Sequence, residues 1–189
     1  MKECEAIGRL KQGDISGIET LMKSDQLKAV RTAYLIVRDY YLAEDVVEDA
    51  FLRAYERINQ FDTERPFGPW FLRIVINIAK RTAVQRERHI FLNNVNTDEE
   101  ITLDNILADI TPDPEELAEQ ADLRNAVWAA LGKLTPAQRA TIVQRYYLDL
   151  SEKEIAANSD SPLGTIKWRL HIAREHLREC LRPLWYTDK

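Results

Sequence analysis

Ser151-Glu152-Lys153-Glu154-Ile155-Ala156-Ala157-Asn158-Ser159-Asp160-Ser161-Pro162-Leu163-Gly164-Thr165-Ile166-Lys167-Trp168-Arg169-Leu170 is the stretch on which the fold turns. Ser151 with Glu154 three residues on is a capping box, a hydroxyl cap with an acid placed to bond back to it. Ser161-Pro162 repeats the start signal, a cap followed by a proline suited to the first helical position. Two short helices starting this close together have helix-turn-helix proportions. In the second, Leu163, Ile166, Leu170, Ala173 and Leu177 recur at three and four and form an inward stripe. That leaves Thr165, Lys167, Trp168, Arg169, His171 and Arg174 outward. Thr, Lys and Arg near the N-terminal end of such a helix can reach base edges or phosphates in a major groove. An ordinary solvated face accounts for the charges equally well, and periodicity alone leaves the two readings level. The outward Trp168 favours a contact surface, because exposed tryptophan is uncommon without a use.

Upstream of this stretch, Thr135-Pro136-Ala137-Gln138 is a second capping box. Further upstream, Asp113-Pro114-Glu115-Glu116 starts another helix: Asp113 can cap, Pro114 fits the first position, and the acids favour the positive end of the dipole. Residues 114–189 are thus expected to form four helices. Residues 91–113 carry Asn93-Asn94 and Thr111-Pro112 with weak periodicity and are expected to be a linker between domains. Every charged residue from Phe91 to Asp122 is an acid: Asp98, Glu99, Glu100, Asp104, Asp109, Asp113, Glu115, Glu116, Glu119 and Asp122. The balance reverses on either side, with Arg73, Lys80, Arg81, Arg86 and Arg88 before it and Lys167, Arg169, Arg174, Arg178 and Arg182 after it. The net charge of −5 over 189 residues would by itself argue against nonspecific nucleic-acid binding. That average hides two basic helical stretches separated by an acidic one.

The remaining residues, 1–90, form the expected first domain, again helical. Leu27, Val30, Tyr34, Val37 and Tyr41 recur at three and four, as do Val47, Ala50, Phe51, Ala54, Ile58 and Phe61, and Phe67, Phe71, Ile74, Val75 and Ile78. Pro66 disfavours helix at Arg65, so the segment from Phe61 to Pro66 is a loop. The face opposite the third stripe carries Trp70, Arg73, Asn77, Lys80, Arg81 and Val84. A ring in line with cations suits single-stranded nucleic acid, the ring stacking on a base while the cations track phosphates. The alternative is that Trp70 covers the core and the cations are merely solvated. On the preceding helix, Asp45, Glu48, Asp49, Leu52 and Glu56 fall on or beside one outward face. A leucine ringed by carboxylates could dock a basic helix, or be a stray surface leucine.

Two sets of residues bear a family resemblance. Leu134-Thr135-Pro136-Ala137-Gln138-Arg139, Arg145-Tyr146-Tyr147-Leu148-Asp149-Leu150-Ser151, Glu154-Ile155-Ala156 and the run from Leu163 to Leu170 are similar to region four of sigma factors of the extracytoplasmic-function group. Ala43-Glu44-Asp45-Val46-Val47-Glu48-Asp49-Ala50-Phe51-Leu52-Arg53-Ala54-Tyr55, Phe61-Asp62, the run from Pro66 to Ile74 and Asn77-Ile78-Ala79-Lys80 resemble region two of the same family, in family order. The resemblance implies a sigma factor that binds core RNA polymerase and promoter DNA. It places polymerase docking on Asp45, Glu48, Asp49, Leu52 and Arg53. It places opening of the −10 element on Phe61, Asp62, Phe67, Trp70, Arg73, Asn77, Lys80 and Arg81, and −35 recognition on Thr165, Lys167, Trp168, Arg169, His171 and Arg174. It also implies an anti-sigma factor as a partner. The chain departs from the family pattern at Ser159 and Asp160, where a leucine and a turn glycine are usual, and at Trp168, commonly serine. Ile76 and Arg81 likewise stand where the family often has an arginine and an aspartate.

The expected architecture is therefore all-α, two small helical domains joined by an acidic linker whose carboxylates would mimic nucleic acid inside the polymerase. No apolar run approaches the roughly 18 residues of a membrane span, and Met1-Lys2-Glu3-Cys4-Glu5 lacks the apolar core of a signal peptide, so no membrane insertion and a cytoplasmic location are expected. Cys4 and Cys180 form no CxxC pattern and are expected to be reduced thiols. No nucleophile with a base, metal set or phosphate cradle is visible, so no enzyme and no cofactor are expected. His176 and Cys180, one turn apart, fall far short of a metal site. No further domain follows Lys189, so a built-in regulatory module is not expected. Read from residues alone, a one-component regulator using only the helix-turn-helix, or a helical interaction adaptor, stays open beside the sigma factor.

Overall fold

The structure, a computed structural model, describes residues 3–93 and 114–182. It divides into two units, Met1–Asn93 and Asn94–Lys189. Every described regular element is helical, and the described residues contain no strand.

The first unit holds α1 (Glu3–Lys11), α2 (Ser16–Val37), α3 (Tyr40–Arg57), a 3-10 turn (Ile58–Gln60) and α4 (Phe67–Asn93). α2, α3 and α4 pack on one another, and α1 packs on α2. Gly17 permits that last contact, since a Cβ there would lie 2.3 Å from the Ala6 carbonyl oxygen. The α3 stripe is buried as its spacing predicts, from Val47 through Phe61. The α4 stripe is wider than predicted: Leu72, Ile76, Ala79 and Ala83 are buried along with Phe71, Val75 and Ile78, while Ile74 is only half-buried. α4 thus packs against its neighbours on more than one side. Ile76, where the family often has arginine, is a core residue.

The stripe from Leu27 to Tyr41 is corrected, because two helices share it. α2 stops at Val37, where Arg38 turns left-handed (φ 59°) and its N–H donates to the Tyr34 carbonyl at 2.8 Å. Asp39 is extended and caps α3, accepting from the Leu42 N–H at 3.0 Å. Arg86 of α4 closes this corner, donating to the Val37 and Arg38 carbonyls at 3.1 and 2.8 Å and pairing with Asp39 at 3.0 Å. The helical register therefore restarts at Tyr40, and Tyr41 is 64% exposed. Leu27 is exposed as well. α4 continues to Asn93, past the residue at which the linker was expected to begin. The rest of that linker, 94–113, lies outside the described residues, and with it the Asp113 cap.

The second unit holds α5 (Pro114–Gly132), α6 (Pro136–Ile142), a π turn (Val143–Tyr147), α7 (Glu152–Asn158) and α8 (Leu163–Leu181). Both predicted capping boxes form, Thr135 with Gln138 and Ser151 with Glu154. The Ser151 hydroxyl, and after it the Ser151 backbone N–H, hold the Glu154 carboxyl below its ordinary pKa. The third expected cap does not form. α8 starts after Pro162 with no side-chain cap, and the Ser161 hydroxyl donates to the Ser159 carbonyl instead.

The turn between α7 and α8 keeps its geometry without a glycine. Asp160 adopts φ 45°, and the Ser161 N–H reaches back to the Ala156 carbonyl at 3.1 Å, the six-to-one bond of a Schellman end. The left-handed region costs an L-residue about 1–2 kcal/mol, partly offset when glycine's extra freedom in the unfolded chain is counted. Asp160→Gly is therefore expected to stabilise this unit by about 0.5 kcal/mol. Urea unfolding of the full chain, followed by hydrogen exchange in α7 and α8, measures it. A lower midpoint would contradict the assignment of strain.

Candidate nucleic-acid and docking surfaces

The outward face of α3 follows from its buried one. With Ala43, Val46, Val47, Ala50, Phe51 and Ala54 inside, Asp45, Glu48, Asp49, Leu52 and Glu56 are left exposed, and Arg53 is half-buried beside them. Leu52 is 61% exposed and has an acid both three and four residues before it. Tyr41 lies four residues before Asp45 on the same exposed side, T-shaped against Tyr40 at 6.0 Å. Sequence periodicity assigned Tyr41 to the core. The Asp39 cap, a legible start signal, would have restarted the count and placed it on this face.

Two of the residues assigned to direct −10 contact are corrected. Phe61 and Phe67 are 4% and 1% exposed and lie in the core, so neither ring is presented at the surface of this structure. They form instead the seat of Trp70, whose ring centroid lies 4.9 Å from Phe61 and 5.5 Å from Phe67. The seat is itself built on the core: Phe67 stacks on Phe71 at 5.6 Å, and Phe71 stacks on Phe51 at 4.2 Å. Trp70 is half-buried, part of its indole presented to solvent. Arg73, Asn77 and Lys80 follow it at three- and four-residue steps, half-buried, and Arg81 is exposed next to them. Asp62 is exposed and shapes the loop, accepting from the Glu64 N–H at 3.1 Å and pairing with Arg65 at 3.3 Å.

On α8, Ile166, Leu170 and Ala173 are buried. Lys167, Trp168, His171 and Arg174 are exposed, and Thr165 and Arg169 half-buried. Trp168 is 61% exposed in the second turn of the helix. Arg174 donates through Nε to the Tyr146 hydroxyl at 2.8 Å, its guanidinium 5.8 Å from that ring's centroid. Tyr146, on the π turn, thus fixes a cation of the basic helix. Sequence spacing gave no signal for it, because the two residues meet only through the turn. Among the described residues no three metal-ligating side chains gather, and no helix is long and apolar enough to cross a membrane.

The first unit thus carries an acidic, leucine-bearing helix and a ring-and-cation helix, and the second a basic helix-turn-helix, the arrangement expected of a two-module transcription initiation factor. Comparison with known proteins agrees. Residues 21–89 match the Sigma-70 region 2 family, and residues 124–177 match the family Sigma-70, region 4. The chain is 32% identical over 180 residues to the ECF RNA polymerase sigma factor SigW of Bacillus subtilis, covering 94% of this chain and 96% of that one. It is 33% identical over 142 residues to the ECF RNA polymerase sigma-E factor of Escherichia coli, covering 74% of each. The fold is similar to that of the sigma factor RpoE from Bartonella quintana, solved in complex with the anti-sigma factor NepR, with a TM-score of 0.63 at 20% identity over 93% of this chain and 100% of that one. The chain belongs to the extracytoplasmic-function sigma factor family. It is an alternative sigma factor that binds core RNA polymerase and directs promoter-specific transcription initiation.

Proposed function

We propose that the exposed face of α3 docks this chain on core polymerase, that Trp70 and the cations after it capture the opened −10 strand, and that α8 holds the −35 duplex. Trp70 is the observation that carries the reading. An indole supported from beneath by two buried phenylalanines, with Arg73, Asn77, Lys80 and Arg81 running on from it, offers a base a rigid stacking surface and its backbone a cationic track. Asp45, Glu48, Asp49, Leu52 and Arg53 supply an apolar anchor within a carboxylate rim, suited to a basic helical partner. Thr165, Lys167, Trp168, Arg169, His171 and Arg174 surround the exposed side of α8. The chain acts in the cytoplasm and is not itself an enzyme, the chemistry of RNA synthesis belonging to the polymerase. The Bartonella relative is held by an anti-sigma factor. A regulator of that kind, covering the Leu52 and Trp70 faces, is the corresponding partner here.

Transcription in vitro with purified core enzyme and a promoter library tests the division of labour. Trp70→Ala is expected to slow opening about tenfold while leaving the closed complex nearly intact, since base–aromatic stacking contributes about 1–3 kcal/mol. Arg169→Ala is expected to weaken promoter binding itself. Equal effects of both variants on closed-complex affinity would refute the assignment.

A further inference from the structure

α1 precedes the stretch that matches the Sigma-70 region 2 family, which begins at residue 21. It nevertheless reaches both ends of the loop in front of α4. At its C-terminal end, Lys11 Nζ donates to the Phe61 carbonyl at 2.9 Å. At its N-terminal end, Glu3 Oε1 accepts from the Phe67 N–H at 2.9 Å. Between those two points runs the exposed segment Asp62–Pro66, and the two residues held are the pair of rings under Trp70.

α4 needs such a partner. Arg65 and Pro66 carry none of the short side-chain oxygens that usually cap a helix start. The Glu3 carboxylate supplies one from another helix and sits at the positive end of the α4 dipole. Asp25 of α2 brings a second carboxylate to the same place: a Cβ on Gly68 would lie 2.9 Å from its Oδ1. α1 is itself fixed, with Ala6, Ile7 and Leu10 buried and the Ala6 carbonyl closely apposed to Gly17.

We propose that α1 is a strut that positions the promoter-opening loop, with Lys11 and Glu3 as positioning residues that set the separation of Phe61 and Phe67 and so the presentation of Trp70. The proposal rests on the assignment of Trp70 to the opened strand. A strut of this kind acts on strand capture alone and leaves core docking and −35 binding untouched, because neither α3's exposed face nor α8 takes part in it.

Holoenzyme reconstituted from core polymerase and the full chain decides the matter. The probe is a fluorescent single-stranded oligonucleotide spanning the −10 element of a promoter chosen in the transcription assay. Lys11→Met and Glu3→Ala are each expected to weaken its binding about fivefold, the size of effect expected for losing one ordinary hydrogen bond. Lys11→Arg and Glu3→Gln, which keep a donor and an acceptor, are expected to restore most of it. Core affinity and binding of a −35 duplex fragment serve as controls, with the thermal midpoint measured alongside. Wild-type strand binding by the Lys11→Met, Glu3→Ala double variant, while Trp70→Ala loses it, overturns the strut and leaves the Trp70 assignment standing. Losses spread equally over strand, duplex and core binding, tracking a lower midpoint, overturn it too, since they mark a merely structural role. Wild-type strand binding by Trp70→Ala removes the assignment on which the strut depends.

Discussion

Arg139→Ala is expected to destabilise the second unit by about 3 kcal/mol, a large fraction of the stability of a unit of this size. Arg139 is 3% exposed. Its Nε donates to the Leu131 carbonyl at 3.1 Å and its Nη2 to the Leu134 carbonyl at 2.8 Å, satisfying acceptors at the end of α5 and in the turn before α6. Truncation to alanine leaves those carbonyls without these donors and opens a cavity where the aliphatic stem packed. Lysine keeps the charge but lacks the planar fork that reaches two carbonyls at once, so Arg139→Lys should recover less than half of the loss. Hydrogen exchange resolved by segment is the measurement: protection should fall across α6, α7 and α8 and stay unchanged in α2 to α4. Loss of −35 duplex binding would accompany it. Unaltered protection in α8 would show that the buried guanidinium contributes no net stability.

Arg86→Ala should cost the first unit about 2 kcal/mol. Here one guanidinium joins the end of α2, the cap of α3 and the body of α4 through the Val37 and Arg38 carbonyls and the Asp39 carboxylate. The side chains of Arg86 and Asp39 are 20% and 15% exposed, so solvent screens the pair only in part. Asp39 keeps its cap bond to the Leu42 N–H when the arginine is gone, which holds the loss below that of a fully buried pair. A double-mutant cycle of Arg86→Ala with Asp39→Asn, read by urea unfolding of the full chain, isolates the ionic part. A coupling energy near zero would assign the whole effect to the two carbonyl bonds.

Much of this architecture was legible in the sequence because it is local. Thr135 with Gln138 and Ser151 with Glu154 announce helices through groups three residues apart, and the α3 stripe and the Ile166, Leu170 and Ala173 part of the α8 stripe follow from period alone, Leu163 and Leu177 being only half-buried. What the sequence hid depends on contacts distant along the chain. Arg38 is an unexpected residue for a left-handed position, so the run from Leu27 to Tyr41 read as one helix although Asp39 was there to mark a new start. Phe61 and Phe67 have the right chemistry for a strand-gripping loop, but residue type does not say which way a loop aromatic points; the rings of Trp70, Phe71 and Phe51 turned them inward. The Ser161 hydroxyl was lost as a cap to a nearer carbonyl at Ser159. The partners of Arg86 and Arg139 left no mark in the sequence, because nothing in a one-dimensional pattern reveals acceptors on a neighbouring helix.

The rings beneath Trp70 belong to the same aromatic column that holds the first unit together. On the role proposed for Trp70, folding robustness and promoter opening are consequently written in shared atoms. Substitutions deep in this interior should then slow promoter opening as well as lower the unfolding midpoint.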